Sequence, residues 1–212
     1  MRCRRCSFDI CLGRVVKERL SMPAMPELPP INETAERILQ EAWVLFQAKG
    51  YRGVSVDEIC QQSKITKPTL YYYFRNKEDL YFQMMLRRLR GYRTILERDA
   101  PLADRLEQLC AHILSQFRVS VQTMLRDMDH IHEESYRVLL NQAFQSEFLV
   151  PIAHAMQEGI ESGVLRPGSS ELYAWLYLGI INTFVGEPHS PAADVLIDMF
   201  FCGVGQWDRG AE

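Results

Sequence analysis

Three helix-start signals follow one another closely between Ser55 and Asn76, and they restrict the fold more than any other feature of the chain. Ser55 and Glu58 form a capping box, in which each side chain accepts the backbone N–H of the other residue. Thr66 is a second N-cap, and Pro68 stands in the turn behind it, where a missing N–H is harmless. Asn76 starts a third helix. The pattern therefore predicts two short helices, joined by a turn of roughly three residues and followed by a longer helix.

An amphipathic helix precedes these signals. Its apolar side chains recur at the i, i+3, i+4 and i+7 spacing of one helix face, and they are Ala35, Ile38, Leu39, Ala42, Trp43, Leu45 and Phe46. We expect this helix to run from about Glu33 to Gly50, where the glycine ends it. The helix that opens at Asn76 is predicted to continue to about Glu97.

The helix that begins at Thr66 has two different sides. Leu70 and Phe74 lie four residues apart, so they share a face that packs into the protein core. Lys67 and Tyr71 lie on another side, which combines a cation, hydroxyls and an aromatic ring. Such a surface suits the base edges in the DNA major groove. A helical hairpin with an ordinary solvated face would carry the same pattern, so this segment by itself leaves both possibilities open.

Charge is distributed unevenly along the 212-residue chain, whose formal net charge is only −3. Residues 1–96 carry 17 basic and 10 acidic side chains, whereas residues 97–212 carry 7 and 17. A basic front half and an acidic back half indicate that only the front half meets a polyanion.

The stretch from Ile38 to Leu80, ILQEAWVLFQAKGYRGVSVDEICQQSKITKPTLYYYFRNKEDL, closely resembles the DNA-binding domain of the TetR (tetracycline repressor) family. The resemblance implies an all-α fold. An N-terminal three-helix helix-turn-helix domain would cover residues 31–77, and a C-terminal helical domain for ligand binding and dimerisation would cover residues 78–208. The family's base-reading positions match Thr66, Lys67, Pro68, Thr69 and Tyr71. Its phosphate-gripping positions match Ser55, Tyr72, Tyr73 and Lys77.

Lys64 departs from the family pattern, which often has glycine in the turn between the two short helices. A lysine held at positive φ would cost about 1 kcal/mol relative to glycine. Either the turn tolerates the lysine or its geometry differs, and the ammonium could also reach a DNA phosphate.

The helical pattern continues beyond Ala100. The predicted spans are 102–120, 121–129, 132–162 with a break at Pro151, 169–186 and 191–207. No glycine-rich phosphate loop, nucleophile elbow or His-Glu-x-x-His motif occurs in the chain. We therefore expect no enzyme activity, no cofactor and no metal site.

The last two predicted helices are apolar almost all round, so they need two packing partners. One partner is the rest of their own domain. The other, as the family resemblance implies, is the same helix pair in a second subunit of a homodimer. The expected interface residues are Leu172, Leu176, Gly179, Ile180, Leu196, Met199, Phe200 and Gly203. A monomer with a fully buried helical hairpin is the alternative.

The family resemblance also implies a pocket for a small-molecule effector among the middle helices. Methionine and aromatic side chains adapt to an apolar guest, and the candidates are Phe117, Met124, Met128, His132, Tyr136, Phe144 and Trp175. The same residue types at helical spacing also fit an ordinary core.

We expect a cytoplasmic transcription regulator, a repressor that an unknown small-molecule effector releases from a palindromic double-stranded DNA operator. A thiol-based redox sensor that uses Cys60, Cys110 or Cys202 is one alternative, and a helical enzyme with the hairpin as its scaffold is another. The cysteines do not form a disulfide framework, which fits a reducing compartment. The longest apolar run, residues 173–186, is too short to span a membrane.

The first 30 residues differ in composition from the rest of the chain. Four prolines between residues 23 and 30 make this segment stiff and extended, and we expect residues 1–30 to be a disordered leader. Residues 1–21 are hypothesised to be untranslated. Met22 and Met25 are alternative starts, and Lys17-Glu18 could be encoded by a purine-rich ribosome-binding sequence.

Overall fold

The structure, a computed structural model, describes residues 25–118, 127 and 130–204. All regular elements in these ranges are helices, which confirms the predicted all-α class. In chain order they are α1 (Glu33–Gly53), α2 (Val56–Gln62), α3 (Lys67–Tyr73), α4 (Lys77–Leu96), α5 (Leu102–Gln116), α6 (Glu134–Phe144), α7 (Val150–Glu161), α8 (Ser170–Phe184) and α9 (Ala193–Val204). A π-helical segment, Gln145–Leu149, joins α6 to α7.

Side-chain caps begin the helices of the N-terminal domain where the sequence predicts them. The Ser55 hydroxyl accepts the Glu58 N–H at 3.2 Å, and Glu58 Oε2 accepts the Ser55 N–H at 2.8 Å. The Thr66 hydroxyl caps α3. Asn76 caps α4, because its Oδ1 accepts the Asp79 N–H at 2.7 Å. These bonds satisfy N–H groups that the first turn of a helix leaves unpaired.

The helical backbone of α1 is interrupted at Gly50, where the sequence predicts that it stops, and one short turn follows. The backbone of Gly50 has φ 69° and ψ 170°, a conformation that favours glycine over any residue with a Cβ. A Cβ at this position would also lie 3.3 Å from Asp127 Oδ1. The chain resumes a helical turn after the kink, so α1 extends to Gly53.

The turn between α2 and α3 holds Lys64 at φ 54°, the one positive φ of a residue other than glycine among the described residues. The turn therefore tolerates lysine in the left-handed region, at a cost of about 1 kcal/mol relative to glycine. The Lys64 side chain is exposed, so its ammonium lies at the surface beside the start of α3.

Helix α4 joins the two parts of the molecule. It packs against α1 in the N-terminal domain and against α5, α6 and α7 in the C-terminal domain. Leu80 and Leu86 on α4 are fully buried. Helix α8 packs on α7, and α9 packs on α5, so the C-terminal helices form one layered bundle around α4.

Hydrogen bonds also connect the N-terminal domain to the segment before α6. The Glu78 carboxylate, in the first turn of α4, accepts the His132 N–H at 2.8 Å and the Glu133 N–H at 3.1 Å. The Asp127 carboxylate accepts the Tyr51 N–H at 2.9 Å. A displacement of Asp127 would therefore pull on the end of α1, and a displacement of residues 132–133 would pull on the start of α4.

The boundaries of the C-terminal helices differ from several predictions. Helix α5 ends at Gln116 rather than at residue 120. The predicted break at Pro151 is wrong, because the backbone stays helical from α6 through the π-helical segment into α7. The irregularity lies earlier, in the π-helical segment. Of the helix predicted over 121–129, only Asp127 is among the described residues, and it is helical.

The last residues of the predicted leader pack against the protein. Arg87 Nη2 donates to the Pro29 carbonyl at 2.6 Å, and Arg90 Nη2 donates to the Pro26 carbonyl at 3.0 Å. Leu28 is partly buried against the core. The expected disorder therefore does not apply to residues 25–30, whereas the proposed untranslated extension lies outside the described residues.

Candidate nucleic-acid interface

Helix α3 separates a buried side from an exposed side, as its sequence predicts. Leu70 and the C-cap residue Phe74 have 0% and 1% of their surface exposed, so they fix the helix to the core. The residues on the opposite side that are exposed are Thr66, Lys67, Pro68, Tyr71 and Tyr72, with Thr69 half-buried beside them. The structure thus brings the predicted base-reading residues together on one surface.

The two threonines of this surface are held in place by local hydrogen bonds. Thr66 Oγ1 lies 2.9 Å from Thr69 Oγ1, and it accepts the Thr69 N–H at 3.4 Å. Each hydroxyl keeps further donor or acceptor capacity. The pair therefore presents oriented hydroxyl groups at the N-terminal end of α3, next to the ring of Pro68.

Lys67 forms an ion pair that the sequence did not predict. Its Nζ lies 2.8 Å from Asp57 Oδ1 in the first turn of α2, and both side chains are exposed. The hydrogen bond and the charge of Asp57 raise the pKa of the Lys67 ammonium. The sequence places Asp57 inside the predicted capping box. It does not indicate Lys67 as the partner of Asp57, because that pairing depends on how α2 and α3 cross.

The three tyrosines of α3 lie in different environments. Tyr71 is 49% exposed and Tyr72 is 82% exposed, and neither makes a hydrogen bond among the described residues. Tyr73 is half-buried, and its hydroxyl accepts from Asn32 Nδ2 at 2.8 Å. The rings of Tyr72 and Tyr73 meet edge to face at 5.0 Å. Tyr72 is therefore the tyrosine that can reach a phosphate most easily, whereas Tyr73 is held by the start of α1.

The Lys77 ammonium is engaged inside the domain. Lys77 Nζ donates to the Tyr51 carbonyl at 2.6 Å and lies 4.1 Å from the centre of the Tyr51 ring. Burial lowers the pKa of this ammonium. This placement differs from the outward orientation expected of a phosphate contact. Ser55, another predicted phosphate contact, uses its hydroxyl in the capping box with Glu58.

The structure does not gather the predicted pocket residues at one place. Phe117 and Phe144 are buried in a cluster of aromatic rings around Tyr92 and Phe148. His132 lines a crevice of about 670 Å³, and Tyr136 lines another of about 630 Å³, and both crevices face the N-terminal domain.

The three remaining pocket candidates are either exposed or outside the described residues. Trp175 is exposed on the outside of α8, so its assignment to an internal pocket is wrong. Met124 and Met128 lie outside the described residues.

The hairpin of α8 and α9 presents an exposed apolar face. Its large exposed side chains are Leu172, Trp175, Leu176, Val195 and Met199. A Cβ built at Gly179 or Gly203 meets no other atom within 4 Å, so another backbone can approach closely at both glycines. Ile180 is half-buried. Leu196 and Phe200 are buried inside the protein itself, which corrects their assignment to a subunit interface.

Comparison with known proteins gives matches in sequence. Residues 38–84 match the family model described as "Bacterial regulatory proteins, tetR family". The chain is 25% identical over 167 residues to the uncharacterized HTH-type transcriptional regulator YhgD of Bacillus subtilis, a match that covers 74% of this chain and 86% of that protein. It is 41% identical over 46 residues to the biofilm operon negative transcriptional regulator IcaR of Staphylococcus epidermidis, which covers 22% of this chain and 25% of IcaR.

Solved structures share the fold. The reduced form of NemR from Escherichia coli superposes with a TM-score of 0.65 at 18% identity, over 82% of this chain and 98% of NemR. AibR in complex with isovaleryl coenzyme A and operator DNA superposes with a TM-score of 0.60 at 20% identity, over 80% of this chain and 97% of AibR. The sequence match thus shows a tetR-family regulatory domain over residues 38–84, and the solved structures show that most of the chain shares their helical fold.

Proposed function

We propose that this protein is a homodimeric repressor that binds a palindromic operator in the cytoplasm and leaves it when a small-molecule effector binds. The observation that carries the proposal is the exposed side of α3, where oriented hydroxyls, a lysine and two exposed tyrosines stand on a helix fixed by buried Leu70. A rigid helix with such a surface fits the width of the major groove.

The apolar face of α8 and α9 supports the dimer. Monomeric soluble proteins rarely expose large contiguous apolar patches, and such patches commonly mark protein–protein contacts. A two-fold axis at this face would pair each helix with its own copy and would present two α3 helices to one duplex. An operator read in this way has two inverted half-sites.

Effector release would act through Asp127 and through residues 132–133 before α6. Asp127 holds the end of α1 and Glu78 holds the backbone before α6, so a ligand that moves the partners of these carboxylates would also move α3 through α4. A ligand shifts the equilibrium only by the difference in its affinity for the two arrangements. AibR binds isovaleryl coenzyme A and FadR of Bacillus subtilis binds stearoyl-CoA, which supports an organic effector for this protein.

The structure gives the thiol-sensor alternative little support. Cys60 and Cys110 are buried, and burial raises the pKa of the Cys60 thiol and raises that of Cys110 to about 12. A thiol that stays protonated reacts slowly with oxidants. Cys202 is exposed on α9 and has no cysteine partner among the described residues. For the enzyme alternative, the relatives YhgD and IcaR are named as transcriptional regulators, which favours a protein without enzyme activity.

The proposed repressor is tested with the DNA that flanks its own gene. Gel-shift titration should give a saturable complex with a duplex that contains a palindrome, and Tyr71→Ala should weaken this complex without changing the melting temperature of the protein. Val138→Ala, which truncates an exposed residue on α6, is the matched control and should bind like the wild type. Equal binding by all three proteins would overturn the assignment of α3 as the reading helix.

A further inference from the structure

The four arginines of α4 fall into two groups. Arg90 and Arg93 approach the buried Glu147 carboxylate at 3.5 Å and 3.3 Å, and Arg93 also pairs with Glu97. Arg87 and Arg88 pair with no carboxylate anywhere in the part of the chain that the structure describes. These two consecutive residues of α4 therefore carry charges that no carboxylate among the described residues compensates.

The contacts of these two arginines orient the guanidinium groups without neutralising them. Arg87 Nη2 donates to the Pro29 carbonyl at 2.6 Å. Arg88 Nη1 donates weakly to Gln116 Oε1 at 3.4 Å, and its guanidinium carbon lies 3.7 Å from the centre of the Trp43 ring. An arginine stacked on an aromatic face is held in a defined plane. Carbonyl and ring partners leave the positive charge in place.

Both arginines are partly withdrawn from water. Burial lowers the pKa of Arg87, with a further contribution from the nearby charge of Arg90, and burial also lowers the pKa of Arg88. Arg87 Nε is buried and has no hydrogen-bond partner. A partly buried cation without a counter-charge costs free energy, and an anion bound beside it would remove that cost.

A cavity of about 180 Å³ opens between α1 and α4 at these arginines. Its lining residues are Ile31, Glu36, Leu39, Gln40, Met84, Arg87 and Arg88. Ile31, Leu39 and Met84 make the walls apolar, and Gln40 adds an amide group. The Glu36 side chain lies at the exposed rim and forms no ion pair with either arginine. The cavity therefore combines two cations and an apolar wall with one exposed carboxylate, that of Glu36.

We propose that this cavity, the Arg87–Arg88 site, binds the acidic head of a small amphiphilic anion, either a carboxylate or a phosphate monoester. Guanidinium groups recognise both anions through paired N–H donors. The volume is below the usual range for a complete ligand pocket, so the site takes the charged end and a short apolar portion of its ligand. None of the lining residues belongs to the predicted effector pocket, but Arg88 also contacts Gln116 at the end of α5.

The position of the site suggests a consequence for DNA binding, and this consequence rests on the proposed function. The site contacts α1 of the N-terminal domain, α4 between the domains, and Ile31 just before α1. An anion bound by Arg87 and Arg88 would hold α1, α4 and the segment at Ile31 in one arrangement. A ligand with different affinities for the DNA-bound and free arrangements would then change operator affinity.

The direct test is isothermal titration of the purified full chain, without DNA, with sodium octanoate and separately with inorganic phosphate. Octanoate should bind saturably at one site per chain, and Arg88→Gln should weaken the binding at least about tenfold. Octanamide has the same tail without the charge and should not bind. Arg137→Gln, which removes an exposed arginine on α6, is the matched control and should bind octanoate like the wild type.

Each outcome decides a part of the proposal. Saturable binding of phosphate but not of octanoate would identify a phosphate monoester as the ligand class, and the reverse would identify a carboxylate. Absence of saturable binding by both anions at millimolar concentration would overturn the site, and so would binding that Arg88→Gln and Arg87→Gln leave unchanged. Arg87→Gln also replaces the first variant if Arg88→Gln does not fold. Because no DNA is present, failure here leaves the proposed repressor function untouched.

Discussion

The outer side of α3 and the outer face of the α8–α9 hairpin are both exposed, but they differ in chemistry. On α3, exposed Lys67 pairs with Asp57, and the Thr66 hydroxyl bonds that of Thr69. On the hairpin, Leu176 and Met199 are 44% and 57% exposed, and both are apolar. A surface with oriented polar groups suits a polar partner such as DNA. An apolar surface gains free energy of binding only when another apolar surface covers it and removes it from water.

The two surfaces also depend on the core in different ways. Leu70 is completely buried beneath the exposed side of α3, so a change of the inner residue should affect the fold and a change of an outer residue should affect only binding. On the hairpin, Leu196 and Phe200 are likewise buried inner residues, and Met199 on the same helix is an exposed outer residue. The comparison therefore separates variants that unfold the protein from variants that remove one partner.

The largest effect should come from charges on the hairpin face. We predict that the double variant Leu176→Asp, Met199→Asp is monomeric in sedimentation equilibrium, because a dimer would bury four unpaired carboxylates. Its operator affinity should fall by about 100- to 10,000-fold, since two linked half-site contacts become independent. Val138→Asp places one charge on an exposed position of α6 and should remain wild type in both measurements. A monomeric variant with full operator affinity would remove the hairpin from the mechanism.

Truncation of the inner side of α3 should have the next largest effect. Leu70→Ala is expected to lower the free energy of unfolding by about 2–5 kcal/mol, because it leaves a cavity in a completely buried position. Tyr71→Ala, on the next residue of the same helix, should change it by no more than about 0.5 kcal/mol. Urea denaturation followed by circular dichroism measures both values. Equal destabilisation by the two variants would contradict the division of α3 into two sides.

Within the exposed side of α3, base contacts and phosphate contacts should behave differently. Lys67→Ala should weaken the binding free energy for the operator by about 1–3 kcal/mol, and that for unrelated duplex DNA by much less. Tyr72→Phe removes only a hydroxyl from the most exposed tyrosine and should weaken both complexes alike. Fluorescence anisotropy at a fixed salt concentration gives the four affinities. An operator-selective loss in Tyr72→Phe would reverse the two roles.

The smallest effect concerns the capping box of α2. The Lys49 hydrogen bond, together with bonds from Ser55, lowers the pKa of Glu58 from 4.5 to about 2. The ionised form is therefore favoured by folding, and its stabilising effect is complete above about pH 4.5 and disappears as the pH falls towards 2. Glu58→Gln should lower the melting temperature at pH 7 by more than it does at pH 3. A difference that is the same at both pH values would argue against this carboxylate as the cause.

The N-terminal domain could be predicted from local sequence because its signals are short-range. The caps at Ser55, Thr66 and Asn76 bond N–H groups only three residues ahead, and the buried pair Leu70 and Phe74 follows from helical spacing. Contacts between distant residues were not predictable in the same way. The pairing of Lys67 with Asp57 depends on the crossing of α2 and α3.

The C-terminal domain was predicted less well because a helix that is apolar on most sides does not indicate which side faces the core. The sequence placed Trp175 in a pocket and Leu196 at a subunit interface, whereas the structure exposes the first and buries the second. The charged groups of α4 show a similar limit. Sequence spacing alone does not indicate that Glu147 forms ion pairs with Arg90 and Arg93. It also does not indicate that Arg87 and Arg88 have no carboxylate partner among the described residues.

Repeated selection of bound duplexes from a random DNA pool tests most directly whether two copies of α3 read one operator. The wild-type protein should enrich sequences that contain two inverted copies of one short half-site, with centres about one DNA turn, or a whole number of turns, apart. The pool selected by Lys67→Ala should lose the sequence preference at matching positions in both half-sites. Enrichment of a single asymmetric site, or no enrichment at moderate salt, would contradict the presentation of α3 twice by a symmetric dimer.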